Sequence, residues 1–548
     1  MITRYLFVTG GVMSGIGKGI AVSSIARILK DRGLRVAPVK IDPYINVDAG
    51  TMNPLEHGEV FVTEDGMECD QDLGNYERFL DESLTGHHSI TTGQIYQTVI
   101  TRERNLGYGG RCVEVVPDIP NEVIRRLREV ARRRRADVVI VEVGGTAGEY
   151  QNILFLEAAR LMRRGNPRHI AVALVSYLPI PHAVGEMKTK PTQQAVRALQ
   201  SAGLQPDFII ARGAQSLDAP RKRKLALFCN VDEARIISAP DAEYIYRVPE
   251  LFERERLGDR LLETLHISSR RYRRPSGGIA APWRRLLRRI DRAHGELRIA
   301  LIGKYFATGS FVLSDAYLSV IEALKHGAWA VGRRPVLVWI DAEQLERDTR
   351  ALAVLGKFHG LLVPGGFGGR GVEGKLRAIR FAREHRIPFL GLCYGMQLSV
   401  VEFARNVCGL SGAHTTEVNP KTRHPVIDIL PEQERLLRER VLGGSMRLGL
   451  FRCALRPSSV AARAYKARET QERHRHRYEL NNAYREILER KGMRMSGVNP
   501  DRDLVEIAEL PGHPFFVGTQ FHPELQSRPL HPHPLFVAFA KAAARRKR

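Results

Sequence analysis

The sequence predicts an α/β protein of two domains, each built on a parallel sheet with flanking helices. Three observations predict it. Short apolar runs at 5–9, 36–41, 137–143, 170–178 and 207–211 alternate with helical patterns, and strands buried on both faces and spaced by helices belong to parallel sheets. A stretch at 267–296 then breaks the alternation with Arg270, Arg271, Arg273, Arg274, Pro275, Ser276, Gly277, Gly278 and Pro282; basic and rich in turn formers, it reads as a linker with one short helix at 283–290. The alternation restarts at 297–302, 336–340, 361–364 and 389–392, which marks a second α/β domain. The expected division is 1–266, a linker 267–296, a domain 297–541 and a frayed basic tail 542–548.

The first run ends in Gly10-Gly11, and 19–32 reads as a helix closed by Gly33. With 548 residues, 43% of them hydrophobic and 26% charged, the chain can bury a large core and is not a disordered one. Lys and Arg number 84 against 60 Asp and Glu, a net charge of +24. Much of the excess is Arg on helix faces, as at Arg125, Arg126, Arg128 and 132–135, which reads as solvated surface. Basic charge also suits substrates that carry several phosphates. Neither a reading helix nor an RNA platform accompanies it, so no nucleic-acid partner is expected. The cysteines Cys69, Cys112, Cys229, Cys393, Cys408 and Cys453 form no C-x-x-C pair, which argues against a zinc cluster or disulfide framework and for a reducing, cytoplasmic setting. Residues 1–5 run straight into a strand without a signal-peptide core, and no apolar run approaches the ~20 residues of a membrane span, so no membrane partner is expected.

The first strand leads into Gly10-Gly11-Val12-Met13-Ser14-Gly15-Ile16-Gly17-Lys18-Gly19 and then a helix. Glycines let backbone N–H groups turn inward round a phosphate, the helix N-terminus adds its positive end, and Lys18 supplies a mobile charge. The common phosphate loop has four residues between its glycines and a hydroxyl after the Lys; here five separate Gly11 from Gly17, and Gly19 replaces the hydroxyl. Mg²⁺ in a nucleotide site takes one or two carboxylates plus phosphates. Asp70, Asp72 and Glu142 are the candidates, Glu142 at the end of a strand where α/β sheets bind ligands.

In the second half, Gly391-Leu392-Cys393-Tyr394-Gly395 follows an apolar strand and opens a helix at 396–406. This is a nucleophile elbow with Cys in the Ser position, and a helix N-terminus favours the thiolate. A base and its orienting carboxylate come from Phe521-His522-Pro523-Glu524, after the strand-like 515–519. Pro364-Gly365-Gly366-Phe367-Gly368 offers backbone N–H donors for an oxyanion. Cys229, Cys408 and Cys453 have no such company and read as small core residues.

These residues resemble a class I glutamine amidotransferase domain, and with the N-terminal half the chain resembles the family of glutamine-hydrolysing CTP synthases over nearly its full length. The segments that carry the resemblance are Thr9-Gly10-Gly11 with Ser14 and Gly17-Lys18-Gly19-Ile20, then 40–59, 72–79, 188–193 and 475–479. The resemblance implies that ATP phosphorylates the 4-carbonyl oxygen of UTP and that ammonia from glutamine displaces the phosphate to give CTP, in pyrimidine nucleotide biosynthesis. It implies ATP contacts at Gly15, Ile16, Gly17, Lys18, Gly19, Ile20, Lys40 and Asp72, and at the turn Pro240, Asp241, Ala242. UTP contacts would be Ser14, Lys188, Thr189, Lys190, Pro191, Thr192, Gln193 and Lys224, and CTP would reach Glu149, Tyr150 and Gln151. Asp72 and Glu142 would hold Mg²⁺. Gly366, Tyr394, Gly395, Met396, Gln397, Glu417 and Arg477 would position glutamine, with Cys393, His522 and Glu524 as the triad. His57 and Val60 match positions near the ammonia passage. GTP as allosteric activator, a homotetramer and assembly into filaments are further implications.

The sequence departs from the family pattern in places. Glu149-Tyr150-Gln151 offers one carboxylate where the family has two, so weaker recognition of CTP is expected. Glu114 and Asp118 stand where Gln and His are usual, adding negative charge near anionic ligands unless an Arg compensates. Gln94 replaces a Lys, and Tyr394 replaces a Leu in the elbow. The rival readings are an amidotransferase acting on another carboxylate, a catalytically silent assembly protein, and a generic nucleic-acid binder.

Overall fold

Leu6, Phe7 and Val8 expose no more than 1% of their surface, because their strand is covered by helices on both faces. In the computed structural model this strand, Arg4–Gly10, lies in the middle of a sheet of seven parallel strands among the described residues, in the order Ser89–Thr91, Val36–Asp42, Val138–Val143, Arg4–Gly10, Ile170–Tyr177, Phe208–Gly213, Ile236–Pro240. The structure describes residues 2–183, 185–304, 307–308, 311–312, 314–430, 433, 435 and 443–546. The helix Lys18–Asp31 buries Ala21, Val22, Ile25, Ile28 and Leu29, the 3–4 spacing of one helix face. Parallel register puts Lys40 beside Glu142 and Val8 beside Glu142, so the carboxyl ends of three adjacent strands deliver their polar residues to one edge.

The chain divides into two units, Met1–Asp48 with Asp72–Leu287, and Ala49–Gln71 with Arg288–Arg548. The second unit carries a sheet of nine strands among the described residues: Arg334–Asp341, Glu296–Gly303, Gly360–Val363, Phe389–Leu392 and Phe516–Thr519 are parallel, and Leu504–Glu509, Arg494–Asn499, Arg447–Leu455 and Glu469–His476 continue the sheet antiparallel. The antiparallel half escapes an apolar-run reading because its buried faces are charged: Arg447 pairs with Glu479 at 3.0 Å and with Glu506 at 2.6 Å, all with side chains at most 3% exposed.

Residues 49–71 belong to the second unit although the first surrounds them in sequence. They form the antiparallel hairpin Val60–Val62 and Glu68–Asp70. Arg473 donates to the Val62 carbonyl at 3.1 Å and lies over the Phe61 ring, and Leu450 N–H donates to the Glu64 carbonyl at 3.0 Å. Glu59 caps the helix Leu318–Ala330, accepting the Ser319 N–H at 3.0 Å and the Ser319 hydroxyl at 2.5 Å, where a carboxylate meets the positive end of the helix.

The expected linker is folded rather than loose. Its helix is Ala281–Asp291, and Trp283, 1% exposed, donates its indole N–H to the Tyr246 carbonyl at 2.9 Å and packs against Phe79 and Tyr246. The basic tail also differs from expectation: the helix Pro534–Arg545 runs through 542–545 with Ala543 fully buried, while 547–548 lie outside the described residues. No helix among the described residues is long and apolar enough to cross a membrane. Trp283→Ala should destabilise the protein by about 3–5 kcal/mol, the usual cost of emptying a buried aromatic site, seen as a lower urea midpoint; an unchanged midpoint would mean that this helix is dispensable packing.

Candidate functional site

In the first unit the phosphate loop ends at Gly17, whose φ of 84° lies in the left-handed region and which caps the helix Lys18–Asp31. A side chain at Gly19 would place its Cβ 2.0 Å from an Asp72 carboxylate oxygen. This accounts for the missing hydroxyl: the carboxylate stands where the side chain of a Ser or Thr would go. Lys18 is 8% exposed and donates to the Gly145 carbonyl at 2.7 Å. Burial lowers its affinity for the proton, with Glu142 opposing.

Behind the loop a single ammonium joins three carboxylates. Lys40 donates to Asp72 and lies 3.5 Å from Glu142 and 3.6 Å from Asp42. Glu142 takes the Tyr76 hydroxyl on its other oxygen. Burial, with Asp72 adding to it, raises the Glu142 carboxyl to about 7 against the pull of Lys40 and Lys18. Tyr76, missed in the sequence reading, is pushed well up by the same burial and by Glu142. Asp72 and Glu142 thus share a corner with hard oxygen donors already facing a positive charge, which fits Mg²⁺ held jointly with phosphates. No cluster of three or more His, Cys, Asp or Glu suited to a metal occurs among the described residues. Asp70, the third candidate, falls in the second unit beside His57 at 3.6 Å.

The other nucleotide candidates lie in the same unit. Ser14 and Gly15 are exposed on the loop, with Ile16 buried and Ile20 half-buried beside it. Arg212 connects Gly17 to the turn at Pro240, Asp241 and Ala242: a Cβ at Gly17 would lie 3.7 Å from its Nε, and its guanidinium donates to Asp241 at 2.9 Å. Thr192 hydrogen-bonds Ser176 at 2.9 Å, and Ser176 backs Gly11. Gln193 donates to Thr189 at 3.1 Å, Lys188 pairs with Glu186 at 2.8 Å, and Lys190 and Pro191 open the helix Lys190–Ser201. Lys224 is exposed on the helix Ala219–Cys229 and acts electrostatically on Glu186. Glu149 accepts the Thr146 N–H at 3.0 Å and the Gln151 amide at 2.9 Å, and Tyr150 is 90% exposed. The compensation sought for Asp118 is present: Arg111 clamps it through both oxygens, and this hydrogen bond lowers the Asp118 carboxyl below its usual range. Gln94 donates to the Val47 carbonyl at 2.9 Å and accepts from Arg126 at 2.9 Å.

In the second unit Cys393 has φ 49° and ψ −101° and caps the helix Tyr394–Asn406. The elbow needs its glycines: a Cβ at Gly391 would meet the Gly395 backbone at 2.7 Å, and one at Gly395 would meet the Val363 carbonyl at 2.2 Å. His522 Nδ1 lies 2.7 Å from Glu524 Oε1. Burial opposes a charge on His522, but Glu524 and then Cys393 outweigh it and raise the imidazole well above its usual range. A Cβ at Gly365 would come within 3.0 Å of the His522 ring and 3.7 Å of Cys393, which places the 364–368 turn against both. Gly368 N–H donates to Glu417 at 2.6 Å, Gln397 donates to the Tyr478 carbonyl at 2.8 Å, and Arg477 donates to Ser445 at 3.0 Å. Met396 is fully buried behind the elbow, against Gly518.

A cavity of about 360 Å³ contains Cys393, His522 and Glu524, and its wall includes Gly366, Phe367, Arg475 and Arg477 together with Gly50, Thr51, Met52, Glu59 and Val60 from the 49–71 segment. Val60 is part of this lining and His57 is not. Sequence reasoning missed Gln520, whose amide lies 3.7 Å from the Cys393 sulfur, and Arg475, which donates to Glu68 at 2.8 Å. It also missed Lys375, fully buried with no hydrogen bond to its ammonium, 5.2 Å from the centre of the Tyr394 ring. Burial lowers Lys375 to about 7, Lys304 adding to the effect and Glu417 opposing it. Lone buried polar residues on a helix leave no sequence pattern to find them by.

The fold and the two sites define a glutamine amidotransferase joined to a nucleotide-binding unit of the phosphate-loop type. Residues 4–267 match the family model "CTP synthase N-terminus" and residues 312–542 match "Glutamine amidotransferase class-I". The chain is 50% identical over 546 residues to the CTP synthase of Rippkaea orientalis, covering 99% of this chain and 96% of that one. It is 51% identical over 551 residues to that of Pelotomaculum thermopropionicum, covering 100% and 99%. A solved structure, the Trypanosoma brucei CTPS glutaminase domain with bound acivicin, is 38% identical with a TM-score of 0.42, covering 46% of this chain and 95% of that one. The chain belongs to the CTP synthase family.

Replacing Glu524 with Gln removes the main charge that holds the proton on His522. The titration midpoint of His522, read by NMR on histidine-labelled protein, should then fall, because burial remains and the carboxylate that opposes it is gone. A midpoint that stays in place would show that Glu524 does not support the imidazolium.

Proposed function

We propose that the protein catalyses the ATP-dependent amination of UTP to CTP with ammonia drawn from glutamine, through a UTP phosphorylated on its 4-carbonyl oxygen. The observation that carries this reading is the pairing, in one chain about 50% identical to CTP synthases end to end, of an intact Lys18–Lys40–Asp72–Glu142 corner and an intact Cys393–His522–Glu524 triad.

In the first unit the 15–20 loop with Lys18 and Lys40 binds the ATP phosphates, and the turn at Pro240, Asp241 and Ala242 takes the adenine. Ser14, 188–193 and Lys224 bind UTP. Phosphorylation turns a carbonyl oxygen into a good leaving group; ammonia then adds at C4, phosphate departs and CTP remains. Asp72 and Glu142 would hold Mg²⁺, which supplies positive charge to the transferring phosphoryl group. Lys40 lies against both carboxylates and holds them at this corner.

In the second unit Gly366, 394–397, Glu417 and Arg477 position glutamine. The Cys393 thiolate attacks the side-chain amide carbon and the oxygen takes up negative charge against N–H groups of the 364–368 turn. His522 passes a proton to the departing nitrogen, which leaves as ammonia, and a thioester remains on Cys393. His522 then takes a proton from water, which cleaves the thioester to glutamate and restores the thiolate. Activation by GTP, a homotetrameric assembly and a cytoplasmic setting belong to the same reading.

A CTP-formation assay with each nitrogen source tests the proposal. Cys393→Ala should abolish glutamine-dependent synthesis and spare synthesis from free ammonia, whereas Lys18→Ala should cut both by at least about 100-fold, the scale of one lost transition-state donor. Equal loss with both nitrogen sources in folded Cys393→Ala would contradict two separate chemistries. Gln151→Glu should lower the CTP inhibition constant about fivefold, the worth of one net hydrogen bond, because a carboxylate accepts the cytosine amino group better than an amide does. A constant that stays or rises would remove 149–151 from the cytosine pocket.

A further inference from the structure

The 364–368 turn must present its N–H groups in one orientation, and at its middle nothing packs: a Cβ at Gly366 would meet nothing within 4 Å. What holds the turn lies just beyond, on two successive peptide groups. The peptide joining Phe367 to Gly368 is gripped at both ends, Lys304 donating to its carbonyl and its N–H donating to Glu417 at 2.6 Å. The next carbonyl, that of Gly368, accepts the Tyr394 hydroxyl at 2.9 Å.

Tyr394 is 1% exposed and directly follows the nucleophile, so this hydrogen bond ties the residue after Cys393 to the turn that faces it. Behind its ring stands Lys375, whose buried ammonium finds no hydrogen-bond partner among the described residues and lies over the ring face at 5.2 Å. A buried ammonium left without hydrogen bonds is costly; the ring face and the nearby Glu417 carboxylate offset part of that cost. The contact also fixes where the ring must stand.

We propose that Tyr394, with Lys375 behind its ring, is a positioning residue for glutamine hydrolysis that locks the 364–368 turn into the orientation that receives the oxyanion. This rests on the glutamine-hydrolysing role assigned to Cys393 above. In this reading Tyr394 meets glutamine through its backbone alone, its hydroxyl being taken by the Gly368 carbonyl, and neither side chain touches the substrate. Both act on the transition state, so their loss reaches kcat and leaves glutamine binding alone.

The test compares wild type with Tyr394→Phe, Lys375→Met and the double variant. Glutaminase kcat and KM, inhibition by glutamate γ-semialdehyde, and ammonia-dependent CTP formation are measured for each. The aldehyde adds to the Cys393 thiolate as a tetrahedral adduct whose oxygen occupies the oxyanion position. In each single variant kcat should fall about tenfold and the inhibition constant of the aldehyde should rise about tenfold, with KM for glutamine within about twofold and ammonia-dependent synthesis unchanged. The double variant should be no worse than either single one, as for groups that act as a unit. Wild-type kcat and aldehyde inhibition in Tyr394→Phe, or a raised KM with kcat preserved, would overturn the proposal; wild-type behaviour of Lys375→Met would remove Lys375 from it. A wild-type protein that hydrolyses no glutamine would instead overturn the assignment of Cys393.

Discussion

The Lys40 ammonium, shared among Asp72, Glu142 and Asp42, is the constraint around which the nucleotide-binding unit is arranged. The Lys40 side chain is 7% exposed and that of Glu142 1%, and buried charges are tolerated only when paired. Removing one member of such a group costs about 3–5 kcal/mol, because the rest are left uncompensated. The neighbouring residues follow from it. Position 19 is glycine because Asp72 fills the space beside it. Tyr76 is present because the second oxygen of Glu142 needs a donor away from water. Lys18 turns to the Gly145 carbonyl, since the carboxylates are already engaged by Lys40.

The glutaminase unit solves a different problem on a mixed sheet. Its cysteine also stands at the carboxyl end of a parallel strand, but here the requirement is shape rather than charge. The positive φ at Cys393 and the close approach of Gly395 to Val363 turn the cysteine into the wall of the cavity. Around it the charges come in pairs, His522 with Glu524 and Arg447 with Glu479 and Glu506. The extended antiparallel half of the sheet carries these polar pairs into the interior without leaving a charge alone.

Much of this was legible in the residues. Apolar runs located most of the parallel strands of both units to within a residue or two, as with Arg4–Gly10 and Phe389–Leu392, because strands covered on both faces must be apolar throughout; the short edge strands Ser89–Thr91 and Ile236–Pro240 were missed. Lys18, Cys393 and His522 stood out because their chemistry requires glycines and strand ends at fixed spacing. What escaped was set by tertiary packing. The strand Arg447–Leu455 buries charge, so its pattern resembles surface. The 267–296 stretch looked loose because its buried anchors, such as Trp283, Leu286 and Ile290, sit among arginines. Tyr394 read as a mild replacement of Leu, since nothing in a sequence announces that its hydroxyl reaches Gly368.

The excursion of 49–71 has a consequence for how the chain can be divided. The backbone passes from the first unit to the second after Asp48, returns after Gln71 and leaves again at Leu287. The two units are therefore interleaved in the gene rather than laid end to end. A single cut at 287 yields no clean pair of modules: the C-terminal piece loses Gly50, Thr51, Met52, Glu59 and Val60 from the wall of its own cavity, and the N-terminal piece carries a hairpin whose docking surface is gone. Neither half can be exchanged for a relative's as an autonomous cassette unless the 23 residues from Ala49 to Gln71 travel with the half they fold against.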